Sequence, residues 1–197
     1  RQVRSKIPKG VIDCSSNDVK KNELFIVEGD SAGGTLIQAR DAKHHAIIRL
    51  RGVPMNAINA DLEQLMSNRE MESIIKAYGG GVNELYNPDS VRYGKVIIAA
   101  DADVDGGRIA SLILGMFAKK ITRSIEDGNI YVALSPLYIQ GDKYIFPTDN
   151  IEKELNRNKP FTRVKGLGEL NPHQAKRIFF DDDTRRLVKI TLDRVDE

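Results

Sequence analysis

Cysteine is almost absent: Cys14 is the single one in 197 residues. No disulfide can close within the chain, which fits a reducing cytoplasm, and Cys14 is expected to be a small, half-buried residue. Long apolar runs are also missing. No stretch approaches the roughly 18 apolar residues that cross a bilayer, so a spanning helix is excluded. Hydrophobic residues at 41% and charged residues at 29% instead suit an ordinary globular domain with a genuine core. The chain lacks an initial Met, and no basic segment leads into an apolar stretch with a small-residue cleavage site. It is therefore expected to be a fragment of a longer polypeptide and not a secreted precursor. An excess of either sign of charge is lacking too: 30 basic and 28 acidic residues leave +2. Whole-chain charge thus does not mark a nucleic-acid binder, and any such surface must be local. Arg1, Arg4, Lys6 and Lys9 form one basic patch, and Lys43, His44, His45, Arg49 and Arg51 another; taken alone, each reads as a solvated face. Internal repeats and low-complexity segments are absent.

The opening through about Asn22 is polar, with Pro8, Gly10 and Ser15-Ser16-Asn17-Asp18, and is expected to be a connecting arm (1–22). Leu24 to Val27 reads as a strand that runs into Glu28-Gly29-Asp30-Ser31, with a helix from Ala32 to Arg40 capped by Ser31. Ala46 to Leu50 reads as a second strand. Leu62 to Tyr78 has helical spacing and stops at Gly79-Gly80-Gly81. Lys95 to Ala100 is the most apolar strand and is followed by Asp101-Ala102-Asp103-Val104-Asp105-Gly106 and a helix from about Arg108 to Ile121. Beyond Gly128 come strands at Ile130 to Leu134 and Arg186 to Leu192, a turn at Gly141-Asp142 and a helix near Ile151 to Asn156. Strand, turn, helix repeated in this way describes an α/β domain with a largely parallel central sheet flanked by helices, a core over 23–140 and a small C-terminal extension over 141–197. Function in such sheets gathers at the C-terminal edge.

Asp101, Asp103 and Asp105 crowd like charges together, and a divalent cation relieves the repulsion. Carboxylate oxygens suit magnesium, which takes one or two of them together with waters and substrate phosphate. An EF-hand is excluded because Leu112 stands at the twelfth position, where an acid is required. The bland alternative is that Asp merely forms turns and caps at a strand end. Glu28 to Gly34 is a small-residue loop without the Gly-Lys-Ser/Thr of a Walker loop or the spacing of a dinucleotide site, and its glycines also suit close packing of helix on sheet. Parallel strands can bring Glu28 and the three aspartates to one site.

Four motifs stand in order: Glu28-Gly29-Asp30-Ser31-Ala32-Gly33-Gly34; Leu50-Arg51-Gly52 with Asn56; Asp101 to Gly106; and Lys165-Gly166-Leu167-Gly168-Glu169 with Asn171-Pro172. In these, and from Asp13-Cys14 to about Leu192, the chain resembles the Toprim domain region of type IIA DNA topoisomerase B-type subunits, the gyrase B and topoisomerase IV group. The resemblance implies that Glu28 is the catalytic glutamate, ligating a metal and handling the proton of the 3′ oxygen. It further implies that Asp101 and Asp103 complete Mg²⁺ binding and catalysis, with Mn²⁺ a possible substitute, and that Asp105 assists. Arg51 and Lys165 match basic positions beside the DNA backbone. Other implied features are double-stranded DNA as substrate, a nucleophilic tyrosine on an A-type subunit in an A2B2 assembly, ATP bound only in a missing N-terminal region, and a cytoplasmic setting in a bacterium or a phage-infected cell. Tyr78, Tyr86, Tyr93, Tyr131, Tyr138 and Tyr144 match no catalytic position and read as packing residues.

The chain departs from the pattern at Val53-Pro54, where a lysine is usual, at Arg108, where a histidine is common, and at Arg49, often a proline. Only 26 residues separate Tyr138 from Lys165, too few for the large insertion of some gyrases. Glutamate with paired aspartates would also serve a primase or nuclease, and a magnesium-stabilised DNA-binding module without catalysis is the alternative from another class.

Overall fold

The computed structural model describes residues 7–101 and 103–195; the basic residues Arg1, Arg4 and Lys6 lie outside them. In chain order the elements are β1 (Val11–Ile12), β2 (Glu23–Glu28), α1 (Asp30–Ala39), β3 (His45–Leu50), α2 (Leu62–Ser67), α3 (Arg69–Tyr78), β4 (Lys95–Ala99), α4 (Val104–Lys120), α5 (Thr122–Glu126), β5 (Ile130–Ala133), β6 (Tyr138–Gln140), β7 (Lys143–Ile145), α6 (Ile151–Glu154), β8 (Thr162–Arg163), α7 (Pro172–Ala175), β9 (Leu187–Lys189) and α8 (Leu192–Val195). Among the described residues a six-stranded sheet has the order β1-β3-β2-β4-β5-β9, and a three-stranded sheet the order β7-β6-β8. The four inner strands of the large sheet are parallel, while β1 and β9 close its edges antiparallel. This is the largely parallel α/β architecture expected.

The inner strands are apolar on both faces because helices cover both. Along β2, Leu24 and Ile26 point one way, to Ile48, Ile98, Ile74 of α3 and Ile113 and Phe117 of α4. Phe25 and Val27 point the other way, to Ala32 and Leu36 of α1, Ile178 and Phe179. Each of these side chains is fully or nearly fully buried.

Several local expectations are corrected. Ser31 does not cap α1: the helix begins at Asp30, Gly29 holds the cap position, and no side chain caps it. Helical spacing from Leu62 to Tyr78 is split in two, because Asn68 leaves the helical conformation and accepts a hydrogen bond from Met71 N–H, starting α3 afresh. α4 starts four residues earlier than Arg108, at Val104, since Asp103 caps it through Gly106 N–H. The last strand is only β9, and Leu192 opens α8. The stretch read as a connecting arm contributes β1 to the large sheet, and Tyr93 O–H donates to Asp13 Oδ1 at 2.7 Å. The Gly141-Asp142 turn joins β6 to β7 as expected, and Cys14 is half-buried.

One tie across the fold is charged. Glu23, at the start of β2 and 6% exposed, receives both guanidinium arms of Arg185 at 2.8 and 2.9 Å. His45 Nε2 lies 3.5 Å away, and its ring stacks on Phe180 with centroids 4.6 Å apart. Burial alone would raise the Glu23 carboxyl, but the hydrogen bonds from His45 and Arg185 hold it down at about 2.

Candidate metal centre and nucleic-acid interface

β2 and β4 are parallel neighbours in the register Val27↔Ala99, so Glu28 and Asp101 emerge together at the C-terminal edge. Both chains then turn sharply. Gly29 does so at φ 81°, a left-handed conformation that any other residue enters at a cost, and its N–H donates to Leu50 O, tying the turn to β3. On the second turn, a Cβ at Gly106 would lie 2.0 Å from Asp101 O, so only glycine lets α4 begin this close to the strand end. The bland reading of the other loop glycines holds at Gly33, which packs against the stem of Arg49.

The four acids have different settings. Asp101 is partly buried and accepts the Leu167 N–H at 2.7 Å, which brings the Lys165-to-Glu169 motif onto the site. A Cβ on Gly166 would meet both Asp101 carboxylate oxygens at 3.8 Å. Asp103 is exposed and spends Oδ1 on the helix cap, 2.7 Å from Gly106 N–H. The capping role weighed as the bland alternative is therefore real at this residue, and it leaves the second oxygen free. Asp105 is exposed in the first turn of α4. The Glu28 carboxyl is raised, first by burial and then by the charges of Asp101, Asp103 and Asp105. The four acids thus share one electrostatic neighbourhood, and the helix N-terminus beneath them offsets part of their repulsion.

An oxygen-only donor set held together by mutual repulsion suits a hard divalent cation. Among the described residues, no three His, Cys, Asp or Glu side chains converge tightly enough to hold one unaided. That fits magnesium, which keeps waters and substrate phosphate in its shell and rarely occupies an all-protein cage.

Of the two basic residues singled out, Arg51 is 70% exposed at the end of β3, with Nε 3.3 Å from Asp30 Oδ1. Arg49 approaches the same oxygen at 3.9 Å, and its Nε has no hydrogen-bond partner. The sequence reading missed this shared role of Asp30, although an acid one turn into the loop from Glu28 was the available signal. Lys165 is exposed beside Gly166. Tyr78 and Tyr93 are fully buried, and burial first of all raises both hydroxyls, as expected of packing residues.

A family model for the Toprim domain matches residues 23–134, more than half of the chain, and the chain belongs to that family. It is 42% identical, over 95% of its length, to the B subunit of DNA topoisomerase 4 from Haemophilus influenzae. It is 37% identical over 97% of its length to the B subunit of DNA gyrase from Thermotoga maritima, and 38% identical over 97% to the B subunit of DNA topoisomerase 4 from Escherichia coli. The chain covers 31%, 31% and 32% of these three proteins, so it spans about a third of the curated relatives it matches. No helix among the described residues is long and apolar enough to cross a membrane.

Proposed function

We propose that this chain is the Toprim part of the B-type subunit of a type IIA DNA topoisomerase, with 23–140 as its metal-binding core and 141–197 as an extension that completes the site. The observation that carries the reading is the convergence of Glu28 with Asp101, Asp103 and Asp105 on one sheet edge, in a chain similar to gyrase and topoisomerase IV B subunits.

Glu28, Asp101 and Asp103 hold Mg²⁺, or Mn²⁺ in its place, and Asp105 assists from the first turn of α4. Magnesium bound there supplies positive charge to the phosphate oxygens as they gain negative charge in a transesterification. Glu28 has a second task, for which its raised pKa is suited: its carboxyl takes and returns the proton of the 3′ oxygen as that bond breaks and re-forms. Asp101 is kept ionised and oriented by the Leu167 N–H. Arg51 and Lys165 bind the DNA backbone. The nucleophile is a tyrosine of an A-type subunit in an A2B2 assembly, because the tyrosines buried in this core cannot reach DNA. ATP acts through a region of the full protein outside this chain, and the setting is the cytoplasm of a bacterium or a phage-infected cell.

The test is reconstitution of the complete B-type protein with its A-type partner on end-labelled duplex DNA, resolved on denaturing gels. Label attached to the A-type polypeptide, lost in Glu28→Ala with DNA binding kept, is the expected result. Label attached to this chain, or efficient metal-dependent cutting by it alone, would refute the reading in favour of a nuclease.

A further inference from the structure

The segment between the small sheet and the acidic edge is unusual for its charge. From Asn156 to Gly166 it carries Arg157, Lys159, Arg163 and Lys165 and no acid, in a chain whose two signs otherwise nearly balance. All four cations are exposed, and among the described residues none has a carboxylate at ion-pairing distance. Nearby Lys143 differs, being neutralised by Glu154 at 2.6 Å.

The loop that presents the first two cations is held from within. Gln140 Nε2 donates to Asn156 O at 2.8 Å and to Lys159 O and Pro160 O at 3.3 Å, while Gln140 Oε1 accepts from Asn156 N–H at 2.9 Å. Asn158 N–H donates to Asn156 Oδ1. One strand side chain thus satisfies four backbone groups of the loop. The charges stand on a preformed surface, which lowers the ordering cost of binding.

Past the loop the chain is extended. Val164 packs on the core and donates its N–H to Leu137 O. Alternation then sends Arg163 and Lys165 outward, together with Phe161, whose ring meets Tyr138 edge-on at 5.6 Å. Phe161 to Lys165 spans roughly 13 Å at strand rise, a length that covers about two phosphates of one DNA strand. Two residues beyond Lys165, Leu167 N–H reaches Asp101. The cationic row therefore ends on the candidate metal centre.

We propose that Arg157, Lys159 and Arg163 continue the contact of Lys165 into a track for the phosphate backbone of duplex DNA, entering the acidic edge from the small sheet. The track rests on the DNA-cleavage reading for its ligand. Its chemistry is sequence-independent: unpaired cations in a row displace condensed counterions, and Gln140 positions the first two.

The experiment measures duplex affinity across a series of KCl concentrations for the complete protein with its A-type partner. It compares wild type, the triple variant Arg157→Gln, Lys159→Gln, Arg163→Gln, and a control, Lys20→Gln with Lys21→Gln and Lys43→Gln, which removes the same charge from the opposite edge of the sheet. The triple variant should lower the slope of log affinity against log salt by about 0.9 for each lost phosphate contact, and the control should not. Matching thermal midpoints establish that the variants are folded. Equal slopes in triple variant and control overturn the track, and covalent cleavage by wild type in that case leaves the topoisomerase reading standing. A lowered slope without covalent cleavage supports the track and removes the reading instead.

Discussion

Asp30 stands between two guanidinium groups, 3.3 Å from Arg51 and 3.9 Å from Arg49 on the same oxygen. Exposed pairs of this kind contribute at most about 1 kcal/mol, so a DNA phosphate can take Arg51 from Asp30 while Arg49 remains to balance the carboxylate. Asp30→Asn should therefore tighten DNA binding by the complete complex, and Arg51→Ala or Lys165→Ala should weaken it and lower the salt slope by about 0.9 each; titrations at several KCl concentrations separate these outcomes. A slope unchanged in both alanine variants removes the two residues from the backbone contact. Gly106 is a different case, because its constraint is steric. Gly106→Ala places a methyl 2.0 Å from Asp101 O and should cost at least about 2 kcal/mol in urea unfolding, with loss of cleavage as the acids move apart.

Elements in this fold start where a polar side chain stops the preceding conformation. Asn68 ends α2 and caps α3, and Asp103 ends the turn after β4 and caps α4. Asn68→Ala should destabilise the domain by about 1 kcal/mol in urea unfolding, with the loss confined to α3 and its amides exchanging faster with deuterium. The apolar spacing from Leu62 to Tyr78 could not reveal this break, because Leu65, Met71, Ile74 and Ile75 lie on a buried side in either case. The spacing reports which residues face the core. It does not report where the backbone leaves the helix. The C-terminal end of α3 was legible for the converse reason: Gly79 at φ 91° is a stop signal carried by residue type.

Across the whole molecule, Glu23, Arg185 and His45 join the start of β2 to the segment before β9. With its carboxyl at about 2 in the folded chain and near 4.5 when unfolded, Glu23 contributes stability that is present above pH 4.5 and lost as pH falls toward 2. The loss is on the order of 3 kcal/mol, and urea midpoints at pH 6 and pH 3 measure it. Glu23→Gln should flatten that pH dependence. At the opposite edge, millimolar Mg²⁺ should raise the thermal midpoint of the domain, and the rise should vanish in Asp101→Asn, since binding to the folded state alone shifts the equilibrium. A midpoint indifferent to Mg²⁺ in free protein and in its DNA complex would count against the metal centre.

The sequence by itself determined the elements and the chemistry at their ends. Apolar runs of β-branched residues at 24–27, 46–50 and 95–99, each followed by glycine or aspartate, specify buried strands that turn at once. The oxygen-only residue types at 28, 101, 103 and 105 specify a hard cation. Three things were decided only by tertiary structure. Asp101 is gripped by Leu167, 66 residues away; Arg185 closes on Glu23 across 162 residues; and β1 joins the sheet from a segment whose composition reads as a linker. The physical reason is common to all three. Periodicity and residue type encode interactions among near neighbours, whereas a backbone N–H, a guanidinium or a two-residue strand finds its partner only after the sheet has brought distant segments together.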